Sequence, residues 1–527
     1  MKFKSLSGLL PSWQNALLVV LAAVLLILAF PPFELWFTAW FALVPLLWAV
    51  DREGSVRQSF VLGWLSGNIF FFGTCWWLTF APITYAGFPA SLAYFLLLGV
   101  TSVAAVFPGV FAAVTAFLLK RFGSIAFLAV PFTWVFTEFA RYWITGNNWN
   151  AIGYSQAFDE LLVPFANYGG VSLVGFVCAA LSAVLTLAVG AGKGSVRDRL
   201  LSFTPLMVCL AGIYSLGFIE SNIRRSQKGD LVANIAALQP NVPMAGLTLE
   251  KWRLLRQRHV QLAESALNKL NRSQTVGPRL PTTVIFPESP MNFQYDEDPE
   301  TREFINGFTA KYDVSVLFNS AEPNKADGKY FNSAVLVGPD GNEIGQYDKI
   351  YLLPFVEAVP VPLESIVPAF VGSFSYGQEY DLLPIGEAKA VVMICFESHF
   401  GQLSREYVRN GADVIIEMTN DGYLGPTPVL RQHLANAVFR AVETNRPVLR
   451  VTNVGITAYI NEKGEVLDAA EPYQEDTRIW SVTKSDGSQT FYVKYGDWFA
   501  WLCTLMTGSL VGFAFIRRRQ VTSRNSE

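Results

Sequence analysis

The apolar residues of this chain gather in long unbroken runs over its first 220 positions, and this pattern restricts the possible folds more than any other feature. Runs lie near 15–31, 35–50, 58–80, 89–118, 124–140, 165–190 and 201–219, with an eighth near 496–516. Each is about long enough to cross a hydrocarbon layer of ~30 Å as a helix. The spacing predicts a polytopic α-helical membrane domain of about eight transmembrane helices. Charged residues make up only 16% of the chain, against about 25% in an ordinary soluble domain. That excludes intrinsic disorder and argues against a purely soluble enzyme. The net charge of −3 gives no basic excess, so nucleic acid is not an expected partner.

Between Glu220 and about Asp497 the character changes to short strands, polar loops and amphipathic helices. Strands are predicted over 231–238, 282–287, 313–319, 333–338, 390–395, 412–418, 448–452 and 456–460. Helices are predicted over 249–270, 299–311, 401–410 and 429–444. Gly338-Pro339-Asp340-Gly341 and Asn461-Glu462-Lys463-Gly464 read as hairpin turns. This is an α/β pattern with two layers of strand and flanking helices. No internal repeat is visible. The expected organisation is a seven-helix membrane domain over 1–219, an α/β domain over 220–495, a last transmembrane helix over 496–516 and a basic tail over 517–527.

Lys and Arg in short loops set the orientation. With the N-terminus inside, the cytoplasmic segments carry thirteen: Lys2, Lys4, Arg52, Arg57, Lys120, Arg121, Lys193, Arg197, Arg199, Arg517, Arg518, Arg519 and Arg524. The opposite loops near 32–34, 81–88 and 141–164 carry only Arg141. The α/β domain is therefore expected outside the cytoplasm. The first run has no small-residue cleavage site before Pro31-Pro32, so it reads as a retained span rather than a signal peptide.

Of the cysteines Cys75, Cys178, Cys209, Cys395 and Cys503, only Cys395 falls in the outer domain. A lone thiol in an oxidising compartment has no disulfide partner. It is either a buried core residue at a strand end or a nucleophile. Glu288 and Lys349 stand at comparable positions, Glu288 after a short apolar strand and Lys349 after a hairpin. Catalytic groups of α/β folds collect at such ends. The three types suit acyl transfer: a thiol attacks as thiolate, a buried carboxylate accepts its proton, and an ammonium holds the developing oxyanion. Taken singly, a Glu or Lys at a strand end is also an ordinary solvated charge. His399, four residues after Cys395, is a rival base. The three histidines, His259, His399 and His433, show no ligand spacing, so no metal is expected.

Phe286-Pro287-Glu288-Ser289, the decapeptide Asp348–Glu357 and Ile394-Cys395-Phe396-Glu397 resemble the three signature segments of the nitrilase superfamily. Together with the membrane helices, the whole chain resembles the apolipoprotein N-acyltransferases. Thr137–Arg141, Gly153–Gln156, Leu238–Pro240, Thr419–Tyr423 and Thr452–Thr457 are further matching segments in the same order. The resemblance implies an extracytoplasmic nitrilase-like α-β-β-α sandwich with a Glu-Lys-Cys triad: Glu288 as general base, Lys349 on the oxyanion and Cys395 as nucleophile. Glu357 matches a second family glutamate that positions Lys349 or shares its charge; alternatively it is an ion-paired loop residue. Glu397 either reaches the site or caps the following helix. Tyr423, Phe396, Val356 and Tyr351 stand where the family usually has Trp, Tyr, Gly and His. These departures touch acyl-chain packing, with Tyr423, Phe396 and Tyr351 as candidate substrate contacts, and leave the triad intact.

The implied reaction takes an acyl chain from the sn-1 position of a phospholipid, typically phosphatidylethanolamine, onto Cys395. It then passes to the α-amino group of an S-diacylglyceryl-cysteine in an apolipoprotein. No cofactor is implied, and the implied location is the bacterial inner membrane, with the catalytic domain on the periplasmic side. The alternatives are a membrane-tethered amidase with water as acceptor, and a transporter carrying an outer domain. Transporters place ionisable groups near the bilayer midplane, and the spans here are nearly free of them.

Overall fold

The computed structural model describes residues 10–190, 195, 197, 201–224, 229–273, 279–291, 293–354, 356–358 and 374–524. Lys2, Lys4, Lys193 and Arg199 lie outside the described residues. The chain forms two compact units. One comprises residues 1–222, 427–435 and 495–527; the other comprises 223–426 and 436–494.

The first unit is helical. Its helices include Trp13–Ala29, Val44–Glu53, Val56–Thr74, Ala90–Ala104, Val106–Phe122, Val130–Thr145, Ala166–Ala188, Thr204–Arg224 and Trp498–Arg524. By length and composition, three helical stretches among the described residues can cross a membrane: 90–145, 163–188 and 498–516. A fourth is the pair 56–74 and 76–84, bent by 61°. The expected run 89–118 is two helices that meet at Ala105.

Small residues let two of these helices touch backbone to backbone. Gly63 and Gly67, one turn apart on Val56–Thr74, face Pro108 of Val106–Phe122. A Cβ on Gly63 would lie 2.2 Å from the Pro108 carbonyl oxygen, and one on Gly67 would lie 2.7 Å from Pro108 Cγ. Such small-xxx-small spacing is how helices approach closely where lipid gives no hydrophobic drive. The segment 427–435 belongs to this unit through its polar side chains. Gln432 Oε1 accepts the indole N–H of Trp77 (3.1 Å) and of Trp149 (2.9 Å), and its Nε2 donates to the Thr74 carbonyl (3.0 Å). Arg431 pairs with Glu34 at 2.7 Å.

The second unit holds two sheets of matching order. The first runs β13 (Asp476–Thr483), β1 (Leu231–Gln239), β2 (Thr282–Ile285), β3 (Ser315–Asn324), β4 (Lys329–Val337), β5 (Glu343–Asp348), with β6 (Phe374–Ser375) beside β4. The second runs β7 (Leu383–Ile385), β8 (Ala388–Ile394), β9 (Val414–Thr419), β10 (Val448–Thr452), β11 (Ala458–Ile460), β12 (Val466–Leu467). In each, three parallel strands (β1-β2-β3 and β8-β9-β10) continue into an antiparallel pair, and one antiparallel strand closes the other side. Parallel neighbours need a long crossover. Helices Leu249–Ser273 and Pro299–Tyr312 provide it in the first sheet, Gly401–Arg409 and Val429–Thr444 in the second. Strands buried on both faces read as continuous apolar runs, which is why β8, β9 and β10 are almost wholly buried. Leu262, Ala266, Ile305 and Phe308 of the first two helices pack on Val284, Val316 and Val335. The sheets are joined through Gln239 of β1, whose Oε1 accepts from Thr452 Oγ1 of β10 (3.2 Å). The unit is the expected nitrilase-like α-β-β-α sandwich.

Candidate active site

Each of the three predicted residues stands just past the end of a strand. Glu288 follows β2 after Pro287, whose missing N–H ends the ladder. Lys349 follows β5 directly, and Cys395 follows β8 directly. Cys395 has φ of 53°, the left-handed region. For an L-residue that conformation costs about 1–2 kcal/mol, so the turn Cys395–His399 must be held by its surroundings. The thiol is half-buried.

Lys349 is 1% exposed and its ammonium meets both oxygens of Glu357 at 2.8 Å. Glu357 is itself locked in its turn: Oε2 accepts the N–H of Leu353 (2.7 Å), and Oε1 accepts Asn332 Nδ2 (2.6 Å). The same amide donates to Glu288 Oε1 at 3.2 Å, and Asn319 holds Asn332 in place through its own Nδ2 (2.7 Å to Oδ1). Glu288 Oε2 accepts the backbone N–H of Asn420 at 3.0 Å. Glu288, Lys349 and Glu357 thus form one connected network around Asn332.

Burial pushes the Glu288 carboxyl above its ordinary range, a push that Lys349 opposes and Glu357 reinforces. The thiol of Cys395 is also raised, by burial first and by Glu288 next, while Lys349 and the Thr419 hydroxyl favour its thiolate. Burial lowers the pKa of Lys349, but Glu357 and Glu288 outweigh it, and the lysine stays charged. At rest the site therefore holds a neutral thiol, a carboxylate with raised proton affinity and a fixed positive charge. That combination is suited chemically to moving a proton from sulfur to Glu288 as sulfur attacks a carbonyl, with Lys349 as counter-charge for an oxyanion.

Glu397 is fully buried and accepts four bonds. Oε1 takes Tyr347 OH (2.7 Å) and the N–H of Ile350 (2.7 Å) and Tyr351 (3.0 Å); Oε2 takes the N–H of Ile394 (2.8 Å). Burial raises its pKa to about 7, yet four donors and no acceptor suit only the carboxylate, and that geometry is the stronger argument. One side chain thus ties the residues after Lys349 to the residue before Cys395. Tyr351 stacks on Phe400 at 4.1 Å, and Phe396 lies parallel to His399 at 5.7 Å. Tyr423, on the turn Asp421–Leu424, is 44% exposed. Charges acting on the thiol include those of Glu288, Lys349 and Asp421, with the buried Arg450 guanidinium also coupled to it. Among the described residues no group of three His, Cys, Asp or Glu side chains is placed to hold a metal.

Sequence reasoning missed Asn332, Asn319 and the buried Arg450, which pairs with Glu417 (2.5 Å) and Asp421 (2.8 Å). The available signal was a polar residue inside an otherwise apolar strand, as at Asn319 and Arg450; buried polar groups of this kind require partners.

Residues 234–491, which carry both sheets, match the carbon-nitrogen hydrolase family model. Residues 22–184 match the apolipoprotein N-acyltransferase N-terminal domain. An apolipoprotein N-acyltransferase of Geobacter metallireducens is 31% identical, over 96% of both chains. One from Allorhizobium ampelinum is 29% identical, over 98% of both. The chain belongs to the apolipoprotein N-acyltransferase family. A solved nitrilase-superfamily structure from Saccharomyces cerevisiae is also similar, at 17% identity, over 48% of this chain and 91% of that one, with a TM-score of 0.35.

Proposed function

We propose that the protein moves an acyl chain from the sn-1 ester of a phospholipid, phosphatidylethanolamine foremost, to the α-amino group of S-diacylglyceryl-cysteine in apolipoproteins. In the first step Cys395 Sγ bonds to the ester carbonyl carbon, and the thiol proton passes to Glu288. Lys349 faces the oxyanion. Collapse breaks the bond to the glycerol oxygen, which takes the proton from Glu288 and departs as lysophospholipid. In the second step the acceptor amine attacks the thioester and gives its proton to Glu288. The C–N bond forms, the C–S bond breaks, and the sulfur is reprotonated. Glu357 and Glu397 keep Lys349 and Cys395 in register. Tyr351, Phe396 and Tyr423 are proposed to line the acyl and acceptor approach.

The observation that carries this reading is the left-handed Cys395 under the joint influence of Glu288 and a lysine locked by a second glutamate. Both substrates are membrane-anchored, and extracting an acyl chain costs about 0.8 kcal/mol per CH₂. Eight crossings, a cytoplasmic N-terminus and a periplasmic catalytic domain of the inner membrane fit that need. The charge asymmetry of the loops supports this arrangement.

Intact mass of the protein purified with phospholipid tests the reading. One acyl group on Cys395, lost with hydroxylamine or on adding a diacylglyceryl-cysteinyl peptide, is expected. Discharge to water at the same rate without peptide makes the protein an amidase-like hydrolase. Absence of an adduct in single-turnover mixing refutes the covalent route.

A further inference from the structure

The turn that carries Cys395 is gripped from two sides. Glu397 holds its beginning through the N–H of Ile394. Its end is held by Arg440, a guanidinium that takes no part in the proposed proton transfers. Arg440 lies on helix Val429–Thr444 and is among the largest fully buried side chains of the protein. Its Nη1 donates to the carbonyls of Ser398 (3.1 Å) and His399 (3.0 Å), the last two residues of the turn. Carbonyls at a helical end lack intrahelical donors, and a cation is favoured beside them. Arg440 Nη2 meets Glu443 Oε2 at 2.6 Å, which fixes the fork's direction. Space around the pair is closed: a Cβ on Gly401 would lie 3.0 Å from Glu443 Oε2 and 3.3 Å from Arg440 Cζ.

A buried ion pair is weak grounds for stability, since desolvation offsets much of the attraction. Here the fork's two backbone bonds give the pair a different use. We propose that Arg440, oriented by Glu443, is a positioning residue for acyl transfer: it anchors the end of the nucleophile's turn, so that Cys395 keeps its left-handed backbone and presents sulfur to Glu288 and Lys349. The proposal rests on the reading of Cys395 as the nucleophile. Arg440 touches no reacting atom; it acts through the carbonyls of Ser398 and His399. Its loss acts by changing where the sulfur sits relative to Glu288 and Lys349.

The test uses the full-length protein in mixed micelles with phosphatidylethanolamine as acyl donor. Thioester formation is followed by single-turnover mixing over a range of donor concentrations. Arg440→Met is expected to slow the maximal rate about 10–100-fold, the usual effect of a small misplacement of a reacting group, with half-saturating donor unchanged within about twofold. Arg440→Lys, which can still bond one carbonyl, restores part of the loss. Should Arg440→Met fail to fold, Gly401→Ala perturbs the same pair and gives the same split between rate and half-saturation. A wild-type maximal rate in the variant that folds overturns the proposal, as does a rise in half-saturating donor at unchanged maximal rate. Cys395→Ala run alongside separates the two readings. If it forms no adduct while the Arg440 variants react normally, only the positioning role fails. If it still forms the adduct, the nucleophile assignment falls and the positioning role with it.

Discussion

Replacing Glu357 by glutamine removes one negative charge at nearly constant volume and tests whether Lys349 acts as a fixed cation. In the protein the ammonium is buried against both Glu357 oxygens at 2.8 Å. Removing one partner of such a pair typically costs about 3–5 kcal/mol, because the other charge is left buried. Lysine escapes that cost by releasing its proton. At 1.36 kcal/mol per unit, the change corresponds to a drop of roughly 2–4 units in its pKa. Burial already pulls downward, and Glu288, followed by Cys395 and Glu397, remains to oppose it. In the wild type Lys349 titrates above its ordinary 10.5. The stability and activity that depend on its charge are therefore complete below that value and are lost only as pH rises through the folded pKa. In Glu357→Gln the loss of activity moves to lower pH.

The expected result is a rate of thioester formation about tenfold low near neutral pH, since the glutamine cannot accept from both Asn332 and Leu353 as well as the lysine. An alkaline limb that the wild type lacks should appear as well. Glu357→Asp keeps the charge and should lose rate without gaining the limb. Rapid-quench thioester assays across pH measure both. A Glu357→Gln enzyme with the wild-type pH profile would show that the lysine's charge does not depend on Glu357, and the electrostatic account would fail.

Glu288→Gln, which cannot accept the thiol proton, should lower thioester formation by at least about 10², while His399→Ala retains substantial activity; the reverse pattern in the same assay would assign the base to His399. Gly63→Ala should destabilise the helical unit by about 1–3 kcal/mol, because the added methyl has no room against Pro108, whereas Gly99→Ala, with nothing within 4 Å, should be neutral. Thermal unfolding in detergent compares the two, and equal melting temperatures would refute the tight crossing.

The sandwich was legible where periodicity and length carried the signal. Helices Leu249–Ser273, Pro299–Tyr312, Gly401–Arg409 and Val429–Thr444 lie within about three residues of expectation, because each has one apolar face and a polar stop. The buried parallel strands were equally plain. No range was predicted for β5, β6, β7, β12 or β13, although the turns at 338–341 and 461–464 implied return strands where β5 and β12 lie. Glu343–Asp348 and Leu383–Ile385 are short and mostly polar or proline-bearing, and their strand character comes from pairing with a neighbour. Asp476–Thr483 alternates well enough to have been read. In the helical unit hydropathy marks apolar stretches but not breaks; the boundary between helices at Ala105 had its mark in Pro108, whose missing N–H interrupts the ladder, and that mark and the short helix at Trp36–Trp40 went unread. The Gly63 and Gly67 spacing was visible and unread. At the site, the residue types suggested Glu288, Lys349 and Cys395, but their meeting depends on loop paths that spacing cannot give. Asn332 escaped notice because its function is to join two carboxylates that are distant in sequence.

The pairing of β13 with β1 has a consequence for how the protein is made. Leu231 pairs with Thr483 and Gln239 with Asp476, so the partner for the outer side of β1 emerges about 250 residues after β1 itself. At ~5–20 residues per second, that interval is roughly 12–50 seconds. Throughout it, β1 presents a row of unpaired amides and carbonyls on an apolar strand, the kind of edge that recruits other chains. The closing strand arrives immediately before Trp498–Arg524, so the domain can seal its first sheet only as the last helix is being synthesised. Truncation anywhere between 349 and 476 would thus leave a molecule with Glu288 and Lys349 already made and its sticky edge permanently uncovered, a product that quality-control proteases would meet more often than one cut after Thr483.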